Sequence, residues 1–213
     1  MLRKSLLVCG VLSSILYVCM CTIAAARLPG YSSFSQTVSE LSAIGTATRP
    51  LWVIMAVFYN MLFAAFACGI LLSARYNKPL RASGIFLLVY ALTGFAWPPM
   101  HQREVLAAGG KTLTDTMHLV FTAVTVALMV AAMGFGAAAL GRKFRYYSLI
   151  TIALLFVFGI LTGMGAANVQ ANLPTPWTGV WERVNIGVFL LWVIVLAGML
   201  LRQDGLRKGM FKG

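Results

Sequence analysis

Acidic side chains are scarce in this chain: five Asp and Glu stand among 213 residues, against 17 Lys and Arg. Histidine occurs only twice, at His101 and His118. Neither H-x-x-x-H nor H-E-x-x-H is present, which excludes the helix-borne zinc signatures. The four cysteines, Cys9, Cys19, Cys21 and Cys68, include no C-x-x-C pair. Cys19 and Cys21 lie about 200° apart around a helix and do not make a joint ligand pair. The cysteines are therefore expected to be buried small apolar residues. Charged residues make up only 10% of the chain, which leaves no room for a second, soluble domain. Heptads of coiled-coil length, low-complexity tracts and internal repeats are also missing.

What fills the chain instead is hydrocarbon. Sixty per cent of the residues are hydrophobic and the mean hydropathy is +0.86. Six apolar stretches cover 5–26, 51–74, 82–98, 115–140, 147–169 and 178–201. At about 1.5 Å per residue, some 20 residues cross the roughly 30 Å core of a bilayer. The predicted fold class is all-α: a single polytopic membrane domain of six transmembrane helices. The first stretch ends in Ala24-Ala25-Ala26, as a cleavable leader would. Its apolar run of about 20 residues exceeds the 7–15 of a leader core, so it reads as a retained helix.

The net charge of +12 is distributed unevenly. One side of a six-span layout carries Arg3, Lys4, Arg75, Lys78, Arg81, Arg142, Lys143, Arg145, Arg202, Arg207, Lys208 and Lys212 against Asp204. The other carries Arg27, Arg49, Arg103, Lys111 and Arg183 against Glu40, Glu104, Asp115 and Glu182. A split of +11 against +1 is the positive-inside pattern, and it puts both termini in the cytoplasm. The basic charge orients the protein and implies no nucleic-acid partner. The expected partners are membrane lipids, with room for a homo-oligomer.

The outer connections are long and polar. In the first, 27–50, Phe34, Val38, Leu41 and Ile44 recur at helical spacing. Thr37-Val38-Ser39-Glu40 fits a capping box, and Gly45 is a natural stop. A short amphipathic helix is predicted there, on the membrane surface or tucked over the bundle mouth. Pro98-Pro99 ends the third span, and Thr114 is the expected N-cap of the fourth. Trp52, Trp97, Trp177 and Trp181 form an outer aromatic belt, and Tyr146 and Tyr147 an inner one. Gly159-x-x-x-Gly163 allows a close helix approach.

Most of the ionisable groups outside the basic clusters share this outer half. Asp115, His118, Thr122 and Thr125 are spaced as one polar stripe, expected to face protein and not lipid. Glu182 and Asn185 share a face of the last span, followed by Phe189 and Trp192. Thr175-Pro176 is the expected start of that helix, which makes Arg49, Arg27 or His118 the expected partner of a deep-set Glu182. Three readings of the cluster compete. In one, His101, His118 and Asp115 ligate a divalent metal such as zinc, with Glu182 or Glu40 as acid or base. In another, Asp115, His118 and Glu182 do metal-free acid–base chemistry on a lipid or isoprenoid. In the third, the groups are structural: Asp115 and Glu40 cap helices, and Glu182 pairs with an arginine.

The run Thr37-Val38-Ser39-Glu40-Leu41-Ser42-Ala43-Ile44-Gly45-Thr46, between Pro29-Gly30-Tyr31 and Arg49-Pro50-Leu51-Trp52, has a counterpart elsewhere. With Gly179-Val180-Trp181-Glu182-Arg183 it resembles a family of small multi-pass prokaryotic membrane proteins, domain-of-unknown-function family 998. The resemblance implies a six-helix protein of a bacterial cytoplasmic membrane and carries over no catalytic residue. Together these readings favour a membrane protein with a polar pocket at its outer face, binding or acting on a lipid-like molecule. Glu40, Arg49, Arg183 and Asn185 are its expected binding residues. The alternatives are a cluster that only holds the bundle, and a dimeric small-molecule transporter.

Overall fold

The computed structural model describes residues 1–210, with side chains through residue 203. Asp204, Arg207, Lys208 and Lys212 of the basic C-terminal cluster therefore lie outside the described side chains. The regular elements of the described chain are helices, apart from an isolated bridge between Ile44 and His101. Its elements are α1 (Leu2–Arg27), a 3₁₀ helix (Val38–Ser42), α2 (Arg49–Ala74), α3 (Lys78–Phe95), α4 (Arg103–Ala107), α5 (Leu113–Ala139), α6 (Gly141–Met164), α7 (Ala166–Gln170) and α8 (Thr178–Met210).

Five segments are long and apolar enough to cross a membrane: Leu2–Arg27, Arg49–Ala74, Leu113–Ala139, Gly141–Gln170 and Thr178–Gln203. The expected third span is not among them. It is an 18-residue helix whose first turn contains Lys78 and Arg81, and these charges dilute its hydropathy. It starts earlier than expected because Asn77 caps it, accepting the Leu80 N–H at 3.0 Å. The expected loop at 141–145 is also helical. The chain reverses instead between α5 and α6 at Gly141, where φ is +67°.

The long helices form a closed ring in the order α1, α2, α3, α5, α6, α8, with α8 packing back on α1. Aromatic rings fill its centre. Phe63 of α2 stacks on Phe189 of α8 at 6.1 Å, and Phe189 stacks on Trp192 at 6.3 Å. Gly136 of α5 admits the Trp192 ring, whose indole N–H donates to Ser148 Oγ at 2.8 Å. Side chains also bond across helices in this apolar interior. Ser14 donates to the Leu190 carbonyl, Ser83 to that of Ala132 and Asn185 to that of Leu155. Asn185 lies against Gly159, where an added Cβ would be 3.2 Å from its Nδ2. Such bonds hold helices together where hydrocarbon offers no polar partner.

The outward faces are apolar. Ile54, Ile150, Ile160 and Leu191 are each more than half exposed. Large continuous apolar exposure of this kind suits lipid and not water. All four cysteines are free thiols; against the expectation of burial, Cys19 and Cys68 are exposed on these faces and Cys9 and Cys21 are only half-buried.

Candidate functional site

At the end of the bundle away from both termini, the three longer connections fold into a cap. Its centre is the 3₁₀ helix. Val38, Leu41 and Ala43 bury their side chains against the helix ends, so the segment is tucked over the bundle. The periodicity that predicted an α-helix here yields one 3₁₀ turn, and Phe34 of that pattern stays exposed. The expected capping box is present: Glu40 Oε2 accepts the Thr37 N–H at 2.6 Å and its hydroxyl at 2.8 Å. The second connection pairs with this loop, since the Ile44 N–H donates to the Met100 carbonyl at 2.8 Å. Gly45, at φ +90°, turns the chain where any side chain would strike the Gln102 amide.

Three successive residues of the 3₁₀ helix are each held from a different element. The Val38 N–H donates to Glu182 of α8. Ser39 Oγ lies 3.1 Å from His118 Nε2 on α5. Glu40 receives Arg103 of α4, Nε on Oε1 at 2.5 Å and Nη2 on Oε2 at 2.9 Å. Glu40 and Arg103 are both over nine-tenths buried. A buried two-pronged guanidinium–carboxylate pair is geometrically exacting, and its remaining positions are satisfied too. Gln36 Nε2 reaches Glu40 Oε1, and Arg103 also donates to the carbonyls of Ser35 and Leu173.

Arg183 turns away from the bundle axis. Its Nη1 donates to the carbonyls of Ser33, Gln36 and Gly179 at 2.8–3.0 Å, and its Nη2 to Tyr31 Oη at 2.5 Å. The Tyr31 hydroxyl in turn donates to the Thr37 carbonyl at 2.7 Å. Burial pushes the Tyr31 phenol up from its ordinary value, opposed by the guanidinium at its oxygen, so the hydroxyl stays a donor.

The polar stripe of α5 is divided by its partners. Asp115 caps its own helix: Oδ2 accepts the Thr112 N–H at 2.8 Å and its hydroxyl at 3.0 Å. The N-cap is thus Thr112 and not Thr114, two residues earlier than expected. Asp115 also receives His101, whose backbone N–H lies at 2.7 Å and Nδ1 at 2.9 Å. His118 belongs elsewhere, with Nδ1 2.8 Å from the Pro98 carbonyl. The expected metal set His101, His118 and Asp115 is therefore not drawn onto one point. Among the described residues, no three His, Cys, Asp or Glu side chains are grouped to hold a metal ion. Thr125 is buried as expected, but Thr122 is exposed and returns its hydroxyl to the His118 carbonyl at 2.8 Å.

Glu182 does not take the arginine or histidine expected of it. Its helix begins at Thr178, so Glu182 lies little more than one turn in and meets a loop N–H. Thr175, the expected N-cap, instead donates to the Ser35 carbonyl at 2.7 Å. Arg49 donates to the Ser42 carbonyl at 3.1 Å. Arg103, Ser39 and Tyr31 complete the cap and were not singled out from the sequence as site residues. For Ser39 the signal was present, since it stands inside the capping-box run.

Two open hollows indent the cap. One, of about 320 Å³, is lined by Ser33, Phe34, Val180, Arg183 and Val184. The other, of about 410 Å³, lies over Arg103 and Glu104, between Ser35-Gln36 and residues 172–176.

One family model covers the cap and most of the ring beneath it. A family model described as "Protein of unknown function (DUF998)" matches residues 11–199. The chain belongs to that family. No curated protein and no solved structure matches it. Every cap residue described above lies inside the DUF998 match, from Tyr31 to Arg183.

Proposed function

We propose that this DUF998 protein is a six-span protein of a bacterial cytoplasmic membrane, with both termini inside and the cap outside, and that the cap binds a lipid-like molecule. The charge split of +11 against +1 supports the orientation. The sixth span is α3, which packs between α2 and α5 in the ring and, at 18 residues, reaches about 27 Å.

The observation that carries the lipid reading is the setting of Arg183. Its hydrogen-bond partners are three carbonyls and a phenol, all neutral. It lines a hollow whose other walls are largely apolar: Phe34, Val180 and Val184. Phe34 and Trp177 stand exposed beside it, ring centroids 6.4 Å apart. A cation at the foot of an apolar groove, at the level of the aromatic belt, suits an amphiphile with an anionic head and a hydrocarbon chain.

Lipids extracted from the protein purified in mild detergent test this. Wild type should retain an anionic amphiphile at a fixed stoichiometry. Val184→Trp, which fills the groove, should release it. Equal lipid content in both would refute the reading.

One observation favours the structural alternative. Glu40 and Asp115 accept so many bonds within the protein that neither is free to meet a ligand. That assigns these two carboxylates to holding the cap and leaves the Arg183 groove for binding. Transport has less support, since Phe63, Phe189 and Trp192 plug the ring.

A further inference from the structure

Ser39 and His118 meet across 79 residues of sequence, between the 3₁₀ helix and α5. The Pro98 carbonyl can only accept, so the proton of His118 sits on Nδ1. Nε2 then carries the lone pair and accepts the Ser39 hydroxyl at 3.1 Å. Trp97 stands edge-on to the imidazole at 5.3 Å and fixes its plane. The histidine is buried and the serine is half-buried. A hydroxyl, a base within hydrogen-bond reach and a third group orienting the base are the parts of an activated nucleophile.

We propose that Ser39 and His118 form a nucleophile–base pair that cleaves carboxylic esters, with acyl lipids as the substrate class. The substrate class rests on the lipid reading of the Arg183 groove; the reactivity of the pair does not. Ser39 Oγ adds to the acyl carbon while its proton passes to His118 Nε2. The tetrahedral adduct collapses, the bond from the acyl carbon to the leaving alkoxy oxygen breaks, and His118 returns the proton to that oxygen. Water then adds to the acyl-serine through the same base, releasing the fatty acid and restoring Ser39. The Pro98 carbonyl holds the tautomer, a role taken by a carboxylate in the familiar triad. Asp115, one turn earlier, is engaged by His101 and Thr112.

The test is labelling of the purified full-length protein with an alkyl fluorophosphonate, followed by peptide mass spectrometry. Ser39 should carry the adduct, and Ser33, Ser35 and Ser42 of the same cap should not. His118→Asn keeps a side-chain N–H for Pro98 and removes the base, so it should label at least about 100-fold more slowly. No adduct on wild-type Ser39, or equal adducts on the other cap serines, would overturn the pair. The internal comparison needs no variant to fold. The lipid is tested separately, in vesicles of phosphatidylethanolamine and phosphatidylglycerol. Wild type should release fatty acid and Ser39→Ala should not. Labelled Ser39 without fatty-acid release would overturn these lipids as substrate and uphold the nucleophile.

Discussion

Glu182 and Arg183 are adjacent on α8 and pin the same loop from two sides. Glu182 accepts the Val38 N–H, while Arg183 donates to the carbonyls of Ser33 and Gln36. Consecutive helical residues diverge by about 100°, so one dipeptide grips one donor and two acceptors within residues 33–38. The last span thereby positions the 3₁₀ helix over the bundle, and with it Ser39 and Glu40.

Removing the Glu182 acceptor strands a buried N–H. Val38 itself is 3% exposed. Glu182→Ala should cost about 1–3 kcal/mol. Glu182→Gln keeps an acceptor oxygen and should cost about 1 kcal/mol or less, the difference between a charged and a neutral acceptor. Thermal unfolding in detergent ranks the two. A glutamine variant as unstable as the alanine variant would show that charge, and not the bond to Val38, is what the site requires.

The Glu40–Arg103 pair should be the most sensitive contact of the cap. Either single truncation leaves an uncompensated buried charge, at about 3–5 kcal/mol. Glu40→Ala combined with Arg103→Ala should cost less than the sum of the two by on the order of 1–3 kcal/mol. Protease cleavage within the cap loops, read alongside thermal unfolding, measures both. Strict additivity would mean that the two side chains are not coupled.

Much of this was legible in the sequence, for reasons that differ by residue. Long apolar runs and the capping box at Thr37–Glu40 are local signals, and both are realised in the fold. The partners of Glu182, His118 and Glu40 are not local: Val38, Ser39 and Arg103 lie 144, 79 and 63 residues away. Charge alone pointed Glu182 at an arginine, but a backbone N–H was nearer once the loop folded over it. Periodicity placed Thr122 on the buried stripe. A threonine satisfied by the carbonyl four residues back needs no protein partner. The start of α3 was not legible from hydropathy, because its first turn contains Lys78 and Arg81 of the basic cluster.

Packing at the ring's centre gives a sharper test of the fold than any polar contact. A methyl added at Gly136 would lie 2.8 Å from the Trp192 ring, which Ser148 and the Phe189 stack hold in place. Gly136→Ala should destabilise by about 1–3 kcal/mol. At Gly134 and Gly187 an added Cβ meets nothing within 4 Å, so alanine there should be neutral or stabilising by up to about 1 kcal/mol. Melting temperatures of the three variants in one detergent check the contrast. Equal shifts would mean that α5 does not face Trp192 as described.

The orientation can be tested independently of the site. The cap connections hold Lys111 on an exposed turn beside Gly109 and Gly110, where an inserted domain has room. The charge split assigns that turn to the outside and the C-terminus to the cytoplasm. An alkaline phosphatase reporter, active only outside, should work when inserted after Lys111 and fail when fused after residue 213. A fluorescent protein that matures only in the cytoplasm should show the reverse. If α3 fails to span, the helices before and after it are reoriented relative to each other. The Lys111 turn and the loop at 28–36 would then report opposite sides, so a third insertion there separates a mistaken orientation from a mistaken span count. Agreement of the two cap insertions with each other and against the C-terminus is the outcome that six spans require, because the cap contacts between Glu40 and Arg103 demand that both loops share one side.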